Sequence, residues 1–239
     1  MLNEKIKKLQ DIIDNSNNIV FFGGAGVSTL SGLKDFRGKN GLYKETYNKP
    51  PEYYLSIDCL YNEPKEFYKF YRDKMNSLNA KPNVVHKYLV KLEEKGKLKA
   101  IITQNIDGLH QKAGSKNVLE IHGTIYKNFC TNCHKEYSAK YIFESNGIPI
   151  CNCGGLIRPA VVLYGESLPP CFELAELYIS QADTLIVAGT SLIVQPANLL
   201  VDLFKGKNLV IINDSYTPFD NKATLLINED LEKVFSNLK

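Results

Sequence analysis

The chain has 239 residues, which is enough to bury a substantial core in one large domain or two small ones. Its hydrophobic content of 44% and charged content of 23% are typical of an ordinary globular protein. The 29 basic and 26 acidic residues give a formal net charge of +3 and form no block of like charge. The charge pattern therefore indicates no tail for specific binding of nucleic acid or of a membrane surface.

The first residues carry lysines but no continuous apolar segment, so no secretory signal is predicted. No apolar run reaches the roughly 20 residues that a membrane-spanning helix needs. We therefore expect a cytoplasmic protein without a membrane partner. In such a protein, clustered cysteines bind metal more often than they form disulfides.

Short apolar runs and amphipathic segments alternate along most of the chain. Apolar residues at helical spacing predict a first helix that ends near Asp14. Buried strands are predicted at residues 19–22, 100–102, 118–119, 184–189, 209–213 and 224–227, and helices at 66–75, 84–94, 174–180, 196–204 and 230–238. This alternation predicts an α/β fold with a doubly wound, mostly parallel, Rossmann-like sheet covered on both faces.

Polar residues are concentrated in residues 103–123, directly after two of the predicted strands. The segment contains neighbouring amides, a carboxylate and the histidines His110 and His122. Because open α/β sheets bind ligands at the carboxyl ends of their strands, the segment indicates a site. From the pattern alone, each histidine is most simply a hydrogen-bonded residue at a strand end.

A glycine-rich segment, residues 23–29, follows the first predicted strand. Small residues there allow a phosphate to approach the backbone closely, and a following helix can donate N–H groups to it. Thr29 stands where the strict dinucleotide fingerprint has its third glycine, so a simple tight turn is the alternative. The next loop contains Asp35, Phe36 and Arg37, which can contact a flat, charged ligand or form a local ion pair.

Four of the six cysteines form two close pairs, Cys130 with Cys133 and Cys151 with Cys153. Four thiolates in a tetrahedron suit a structural Zn²⁺ and leave no position for substrate. The second pair has the spacing Cys-x-Cys, so His134 could replace one thiolate. A redox pair or unligated thiols are the other interpretations.

We expect a single domain, residues 1–239, with two lobes. The large lobe comprises residues 1–38, 81–123 and 161–239, and the smaller lobe comprises a helical insertion at 39–80 and a zinc ribbon at 124–160.

Five segments together carry a resemblance. They are residues 24–29 with 35–38, 104–110, 119–123, 158–166 and 189–192. In order and spacing they are similar to the NAD loop, the nicotinamide-pocket motif, the catalytic-histidine motif, the peptide-binding strand and the ribose-binding turn of the sirtuin family. The two cysteine pairs fall where that family has its zinc module. The resemblance covers nearly the whole chain and implies an NAD-dependent protein-lysine deacylase with NAD⁺ as co-substrate and one structural Zn²⁺.

The resemblance implies roles for the residues on the NAD side. Ala25 and Thr29 would lie along the pyrophosphate, while Phe36 and Arg37 would close over the nicotinamide and its ribose. The adenosine half would be positioned by Thr190, Ser191, Asn213 and Asp230.

The catalytic residues implied by the resemblance are His122 and Asn105. Asn105 would hold the nicotinamide carboxamide together with Ile106 and Asp107, and Gln104 would contact the ribose. A base must take a proton from a ribose hydroxyl, and a histidine with a pKa of about 6.5 suits that task near neutral pH. The resemblance assigns this role to His122, whereas His110 keeps a structural role.

On the substrate side, the implied partner is an acyl-lysine protein or peptide. Val162 and Tyr164 would line the acyl-lysine channel, and Gly165 and Glu166 would help to pair the substrate backbone as an added strand. Family members that prefer acidic acyl chains carry Tyr-x-x-Arg, but Tyr71 stands at the arginine position. Because a carboxylate would lose its guanidinium partner, the sequence predicts deacetylation or removal of other uncharged acyl groups.

Two other functions remain open at the level of sequence. The first is a mono-ADP-ribosyltransferase that uses the same NAD site. The second is a non-enzymatic binding module, for which the basic residues of the ribbon, Lys127, Lys135 and Lys140, form only a thin stripe. We expect the protein to be a monomer, whichever of the three functions it has.

Overall fold

The computed structural model describes residues 2–38 and 41–239. Met1, Lys39 and Asn40 lie outside the described residues, and so does the predicted start of the helical insertion.

Six strands form a parallel sheet: β1 (Ile19–Gly23), β2 (Leu98–Thr103), β3 (Val118–Glu120), β7 (Thr184–Ala188), β8 (Asn208–Ile212) and β9 (Leu225–Ile227). Their order is β3-β2-β1-β7-β8-β9, so the strand order reverses between β1 and β7. A smaller antiparallel sheet of β4 (Gly123–Cys130), β5 (Glu136–Tyr137) and β6 (Ile157–Val161) has the order β5-β4-β6. The predicted doubly wound parallel sheet is confirmed.

The α-helices of the described residues are α1 (Leu2–Asn15), α2 (Pro51–Tyr54), α3 (Ile57–Asn62), α4 (Pro64–Lys74), α5 (Val84–Glu94), α6 (Leu109–Ala113), α7 (Ala139–Glu144), α8 (Cys171–Gln181) and α9 (Leu231–Phe235). Short 3₁₀ segments occur at Ala25–Ser31, Leu42–Lys44, Ala197–Leu203 and Asp220–Lys222. No helix in this part of the chain is both long and apolar enough to cross a membrane.

Alternating residues of β1 face opposite layers of the molecule, as the two-residue period of a strand requires. Ile19 and Phe21 pack into one cluster with α1, α5 and α9. Val20 and Phe22 pack into a second cluster with α8 and the Ala197–Leu203 segment. The strand is buried along its whole length, which is the reason its sequence is continuously apolar.

The smaller lobe has a separate hydrophobic cluster. It joins aromatic residues of α4, including Tyr68 and Tyr71, to Ile125 and Ile157 of the antiparallel sheet. The two insertions that interrupt the helix–strand alternation therefore pack against each other.

Two predicted helices differ from the observed elements. The segment expected at 196–204 is a 3₁₀ helix, Ala197–Leu203, in which Leu199 N donates to Pro196 O, three residues earlier. The helix expected at 230–238 is only Leu231–Phe235; the Asp230 side chain accepts from Glu232 N as its N-cap and so fixes where the helix begins, while the helix ends three residues earlier than predicted.

Candidate active site

A cavity of about 420 Å³ lies where β1, β2, β7 and β8 end, next to the reversal of strand order. This is the edge at which open α/β sheets bind ligands. All seventeen predicted site residues outside the cysteine pairs line it: Ala25, Thr29, Phe36, Arg37, Gln104, Asn105, Ile106, Asp107, His122, Val162, Tyr164, Gly165, Glu166, Thr190, Ser191, Asn213 and Asp230. The fold therefore brings together residues from seven separate segments of the chain.

Glycine in the segment after β1 allows two chain turns to meet. A Cβ atom on Gly26 would lie 2.8 Å from the Cα atom of Gly189, closer than atoms pack. The Gly26 N–H donates to the carbonyl of Gly189 at 2.8 Å. Since Ala25 and Thr190 flank these glycines, the contact places both at one end of the cavity.

Gln104 joins three strands at the carboxyl edge of the sheet. Its backbone N–H donates to Gly23 O at 2.9 Å, and its side-chain Oε1 accepts from the Thr190 hydroxyl at 2.8 Å. Its Nε2 is buried and has no hydrogen-bond partner among residues 2–38 and 41–239. A free donor in the cavity lining is available to a polar ligand.

Buried Ser28 connects two of the predicted NAD-binding residues. It donates to the Asp107 carboxylate at 2.6 Å and accepts from the Asn105 amide at 3.0 Å. Burial raises the pKa of Asp107, although the hydrogen bonds from Ser28 and from Leu109 N oppose the shift. Ser28 was not among the predicted site residues. Its place in the glycine-rich segment after β1 was the only signal that could have identified it.

His122 is held by a hydrogen bond to the backbone. Its Nδ1 lies 3.1 Å from the carbonyl oxygen of Gln104. Because a carbonyl can only accept, Nδ1 carries the proton of the neutral ring, and Nε2 keeps its lone pair. Burial lowers the pKa of His122, while the hydrogen bond to Gln104 partly opposes this shift. The ring is therefore neutral at pH 7 and can accept a proton at Nε2.

The backbone around His122 is fixed by the neighbouring strand. The His122 carbonyl accepts from Val162 N at 2.9 Å, which brings the predicted acyl-channel residue beside the histidine. Gly123 adopts a φ of +75°, and a Cβ atom there would lie 2.1 Å from the Ala160 carbonyl. Only glycine allows β4 and β6 to approach this closely.

Tyr164 and Glu166 are both bonded within the protein. Tyr164 N donates to Leu55 O, and its hydroxyl lies 2.9 Å from that of Tyr43. The Glu166 carboxylate accepts from both terminal nitrogens of Arg158, at 2.6 and 2.9 Å, and from Leu163 N. The Glu166 side chain thus fixes the shape of its own loop.

His110 lies outside the cavity lining, in the core beneath α5 and α6. Its ring is 4.7 Å from that of His86 and 6.1 Å from that of Phe21, centroid to centroid. Burial, with a further contribution from His86, lowers the pKa of His110 to about 3. His110 is thus a neutral core residue of α6, but neither ring nitrogen has a hydrogen-bond partner among the described residues, so it is not the hydrogen-bonded histidine at a strand end that the pattern suggests.

The four paired cysteines form one cluster, in which all Sγ atoms lie within 4.8 Å of one another. The Sγ distances are 3.4 Å for Cys130–Cys153 and 3.6 Å for Cys133–Cys151. Zn–S bonds of about 2.3 Å give a tetrahedron with edges of about 3.8 Å, so the cluster fits one structural Zn²⁺. His134 does not belong to the cluster.

The electrostatics favour thiolates at Cys130 and Cys151, whereas at Cys153 the Gly155 N–H is outweighed by hydrogen bonds with the other three thiols, which raise the pKa of that thiol. The Cys153 N–H and the Tyr137 hydroxyl lower the pKa of Cys151 to about 6. The N–H groups of Cys133 and Asn132 lower the pKa of Cys130. No cysteine lines the cavity, so the metal holds the smaller lobe and does not contact the reacting groups.

Comparison of the sequence with known proteins identifies the same family as the motifs do. The sequence model of the Sir2 family matches residues 24–196. An NAD-dependent protein deacetylase of Clostridium perfringens is 53% identical over 242 residues, which cover 99% of each chain.

Solved structures of Sir2 proteins have the same fold as this chain. The chain is similar to a Sir2 variant in complex with a deacetylated p53 peptide and 3′-O-acetyl ADP-ribose, with a TM-score of 0.89 and 42% identity over 97% of this chain and 96% of that one. A Sir2–p53 peptide–NAD⁺ complex matches with a TM-score of 0.86 and 41% identity over 97% and 95% of the respective chains.

Proposed function

This chain belongs to the Sir2 family, and from that premise we propose that it removes acetyl or other uncharged acyl groups from protein lysines with NAD⁺. The products are nicotinamide and O-acyl-ADP-ribose. The observation that carries the proposal is that all seventeen predicted site residues line one cavity, with His122 held as a neutral base.

On the cofactor side, bound NAD⁺ supplies the ADP-ribose that accepts the acyl group. Asn105, Ile106 and Asp107 hold the nicotinamide carboxamide, and the Ser28 bridge keeps two of these side chains in position. Gln104 offers its unpartnered Nε2 to the ribose. The acyl oxygen of the substrate lysine would bond to the ribose as the bond between ribose and nicotinamide breaks. Because a carbonyl oxygen is a weak nucleophile, the cavity must align the acyl group with the ribose and exclude water.

His122 performs the proton transfer in this proposal. Its Nε2 takes a proton from a ribose hydroxyl, so that the resulting oxygen can attack the acyl carbon. Proton uptake at Nε2 leaves the Nδ1–H bonded to Gln104 O, which stabilises the charged ring without any movement. Asn105 is the second catalytic residue, because it holds the leaving group.

The remaining NAD contacts follow from positions in the lining. Ala25 and Thr29 lie along the pyrophosphate, and Phe36 and Arg37 cover the nicotinamide ribose. The adenosine half contacts Thr190, Ser191, Asn213 and Asp230.

On the peptide side, Val162 and Tyr164 line the acyl-lysine channel. The backbone of Gly165 and Glu166 meets the substrate chain, since the Glu166 carboxylate is already bonded to Arg158.

We also propose one catalytic domain with the two predicted lobes, acting as a cytoplasmic monomer without specific affinity for nucleic acid. The separate hydrophobic cluster of the smaller lobe supports the division into lobes. The dispersed charge of the sequence supports the absence of a nucleic-acid site. Light scattering and a salt-dependent gel-shift assay test the last two points.

The test of function is one incubation of the protein with NAD⁺ and an acetyl-lysine peptide, followed by mass spectrometry. Free nicotinamide, the deacetylated peptide and O-acetyl-ADP-ribose are expected in equal amounts. ADP-ribose attached to protein, without loss of acetyl groups, would instead establish the ADP-ribosyltransferase.

A further inference from the structure

Among the described residues of the cavity lining, the hydroxyl of an aromatic side chain on α4 is buried without a partner. Tyr71, on the buried face of α4, is fully buried and contributes to the lining. Its hydroxyl has no hydrogen-bond partner among residues 2–38 and 41–239. Buried polar atoms in proteins are nearly always bonded, so this hydroxyl indicates a group that arrives with a ligand.

Stacking fixes the position of the Tyr71 ring. Phe67 lies nearly parallel to it at 5.6 Å, and Phe143 of α7 lies nearly parallel at 5.3 Å, centroid to centroid. The Tyr71 ring cannot rotate to bring its hydroxyl to another hydrogen-bond partner without losing both stacking contacts. The hydroxyl therefore stays where the packing places it.

Tyr68, one turn earlier on the same helix, shows the contrast. Its hydroxyl donates to the Ile157 carbonyl at 2.6 Å, and Tyr68 does not line the cavity. The same lobe thus satisfies the hydroxyl of one buried tyrosine internally and leaves the hydroxyl of the other, a residue of the cavity lining, without a partner among the described residues.

The cationic side chains of the lining already have carboxylate partners. Lys34 and Lys74 both pair with Glu45, and Arg37 pairs with Glu52. Arg72, the residue after Tyr71, bonds instead to Ile142 O. A negatively charged acyl chain would therefore meet no free cation here, whereas a neutral polar group could bond to Tyr71.

We propose that Tyr71 is a specificity-determining residue whose hydroxyl bonds to a hydroxyl group on the acyl chain of the substrate. The preferred substrates are then short hydroxyacyl-lysines, which react better than the unsubstituted acyl group of equal length. This inference rests on the proposed deacylase function, and it adds the class of acyl group. Tyr71 packs in one cluster with Val161 and Leu163, which flank the predicted channel residue Val162.

The experiment compares kcat/KM on one peptide carrying butyryl-lysine or its 2-, 3- or 4-hydroxybutyryl counterpart. The wild type should favour at least one hydroxylated isomer over butyryl by about 3- to 10-fold, the effect of one added hydrogen bond. Tyr71→Phe should abolish this preference, so that kcat/KM on the hydroxylated isomer falls to the value the same variant shows on butyryl-lysine.

Two matched variants locate the effect. Tyr68→Phe removes one hydroxyl from the same helix, but that hydroxyl is already bonded, so the preference should persist. Ser77 also lines the cavity and its buried hydroxyl has no partner in the described part of the chain, so Ser77→Ala tests whether Ser77 is the contact instead.

The inference is wrong if no hydroxylated isomer exceeds butyryl, or if the preference survives Tyr71→Phe. Loss of the preference in Ser77→Ala, with survival in Tyr71→Phe, would assign the contact to Ser77. Acetyl-lysine turnover in the same assay separates the two proposals. Turnover of acetyl-lysine without a hydroxyacyl preference overturns only the role of Tyr71, whereas no turnover of any acyl peptide overturns the function.

Discussion

At the scale of single residues, the carbonyl of Gln104 gives His122 its chemical role. A neutral imidazole has one donor and one acceptor, and the bond to this carbonyl makes Nδ1 the donor. The acceptor is then Nε2, as the proposed proton transfer requires. The same ring hydrogen-bonded to an N–H group would present the wrong tautomer.

The lowered pKa of His122 gives a prediction for the pH profile. The base works in its neutral form, which exists above its pKa, and burial moves that pKa below 6.5. The acid limb of kcat/KM should therefore lie below pH 6.5, and His122→Ala should reduce kcat/KM by about 10²- to 10⁴-fold. An acid limb at or above pH 6.5 in the wild type would contradict this.

The buried histidines make stability depend on pH. Burial lowers the pKa of His86 to about 4 and that of His110 to about 3, against about 6.5 in the unfolded chain. Between pH 6.5 and 4 the unfolded chain binds protons that the folded protein does not. The free energy of unfolding should thus fall by about 1.4 kcal/mol per histidine for each pH unit lost.

Urea unfolding of the wild type and of His110→Leu at pH 7, 6 and 5 measures how the free energy of unfolding depends on pH. The variant should lose the share of the pH dependence that His110 contributes, about 1.4 kcal/mol per pH unit between pH 6 and 5. Both proteins contain the cysteine cluster, so the difference between their pH slopes isolates the histidine. Equal slopes would show that His110 does not titrate in this way.

At the scale of elements, the N-terminus of α5 is tied to the glycine-rich segment. Asn83 caps the helix by accepting from Val85 N, and its amide donates to Val27 O at 2.8 Å and to Ser31 Oγ at 2.9 Å. The Asn83 side chain therefore caps helix α5 and, through the same amide group, holds the glycine-rich segment that lines the cavity.

Asn83 is predicted to contribute more to stability than a simple cap. Asn83→Ala should lower the free energy of unfolding by about 2 kcal/mol, because it removes the cap and two further hydrogen bonds. Asn83→Asp keeps the acceptor but loses the donors, so its loss should be about half as large. Chemical denaturation measures both values, and equal losses would mean that the contacts to Val27 and Ser31 add nothing.

At the scale of the whole molecule, the cavity lies between two separately built lobes. The parallel sheet supplies Gln104 and Asn213 to the lining, and the smaller lobe supplies Leu55 and Tyr71. The smaller lobe has one hydrophobic cluster, which includes Cys130 and Cys151 of the metal-binding group. Its integrity should therefore depend on the metal.

Zinc removal should consequently impair a site that the zinc does not touch. A chelator, or Cys133→Ser, should lower the Tm by about 10 °C and abolish deacylation. Cys171→Ser, which changes a cysteine outside the cluster, should keep one zinc per chain and full activity. Metal analysis measures the zinc content of each variant, thermal denaturation measures its Tm, and the acetyl-peptide assay measures its activity. Full activity in a zinc-free protein would contradict this dependence.

The sequence by itself determined the elements whose signals are local. Helix α5 was predicted with its exact bounds, and the six strands of the parallel sheet were predicted within two residues, because their apolar periodicity lies within short windows. The motifs were equally local, and every predicted residue of the active site lines the one cavity.

Tertiary structure alone decided how those residues act. The bond of His122 to Gln104 O, the Ser28 bridge and the closure of the cysteine cluster by Cys153 rather than His134 all join segments that are distant in the chain. The unsatisfied hydroxyl of Tyr71 likewise results from packing against Phe143. Local periodicity contains no information on such contacts, since they exist only once the sheet and the smaller lobe have packed together.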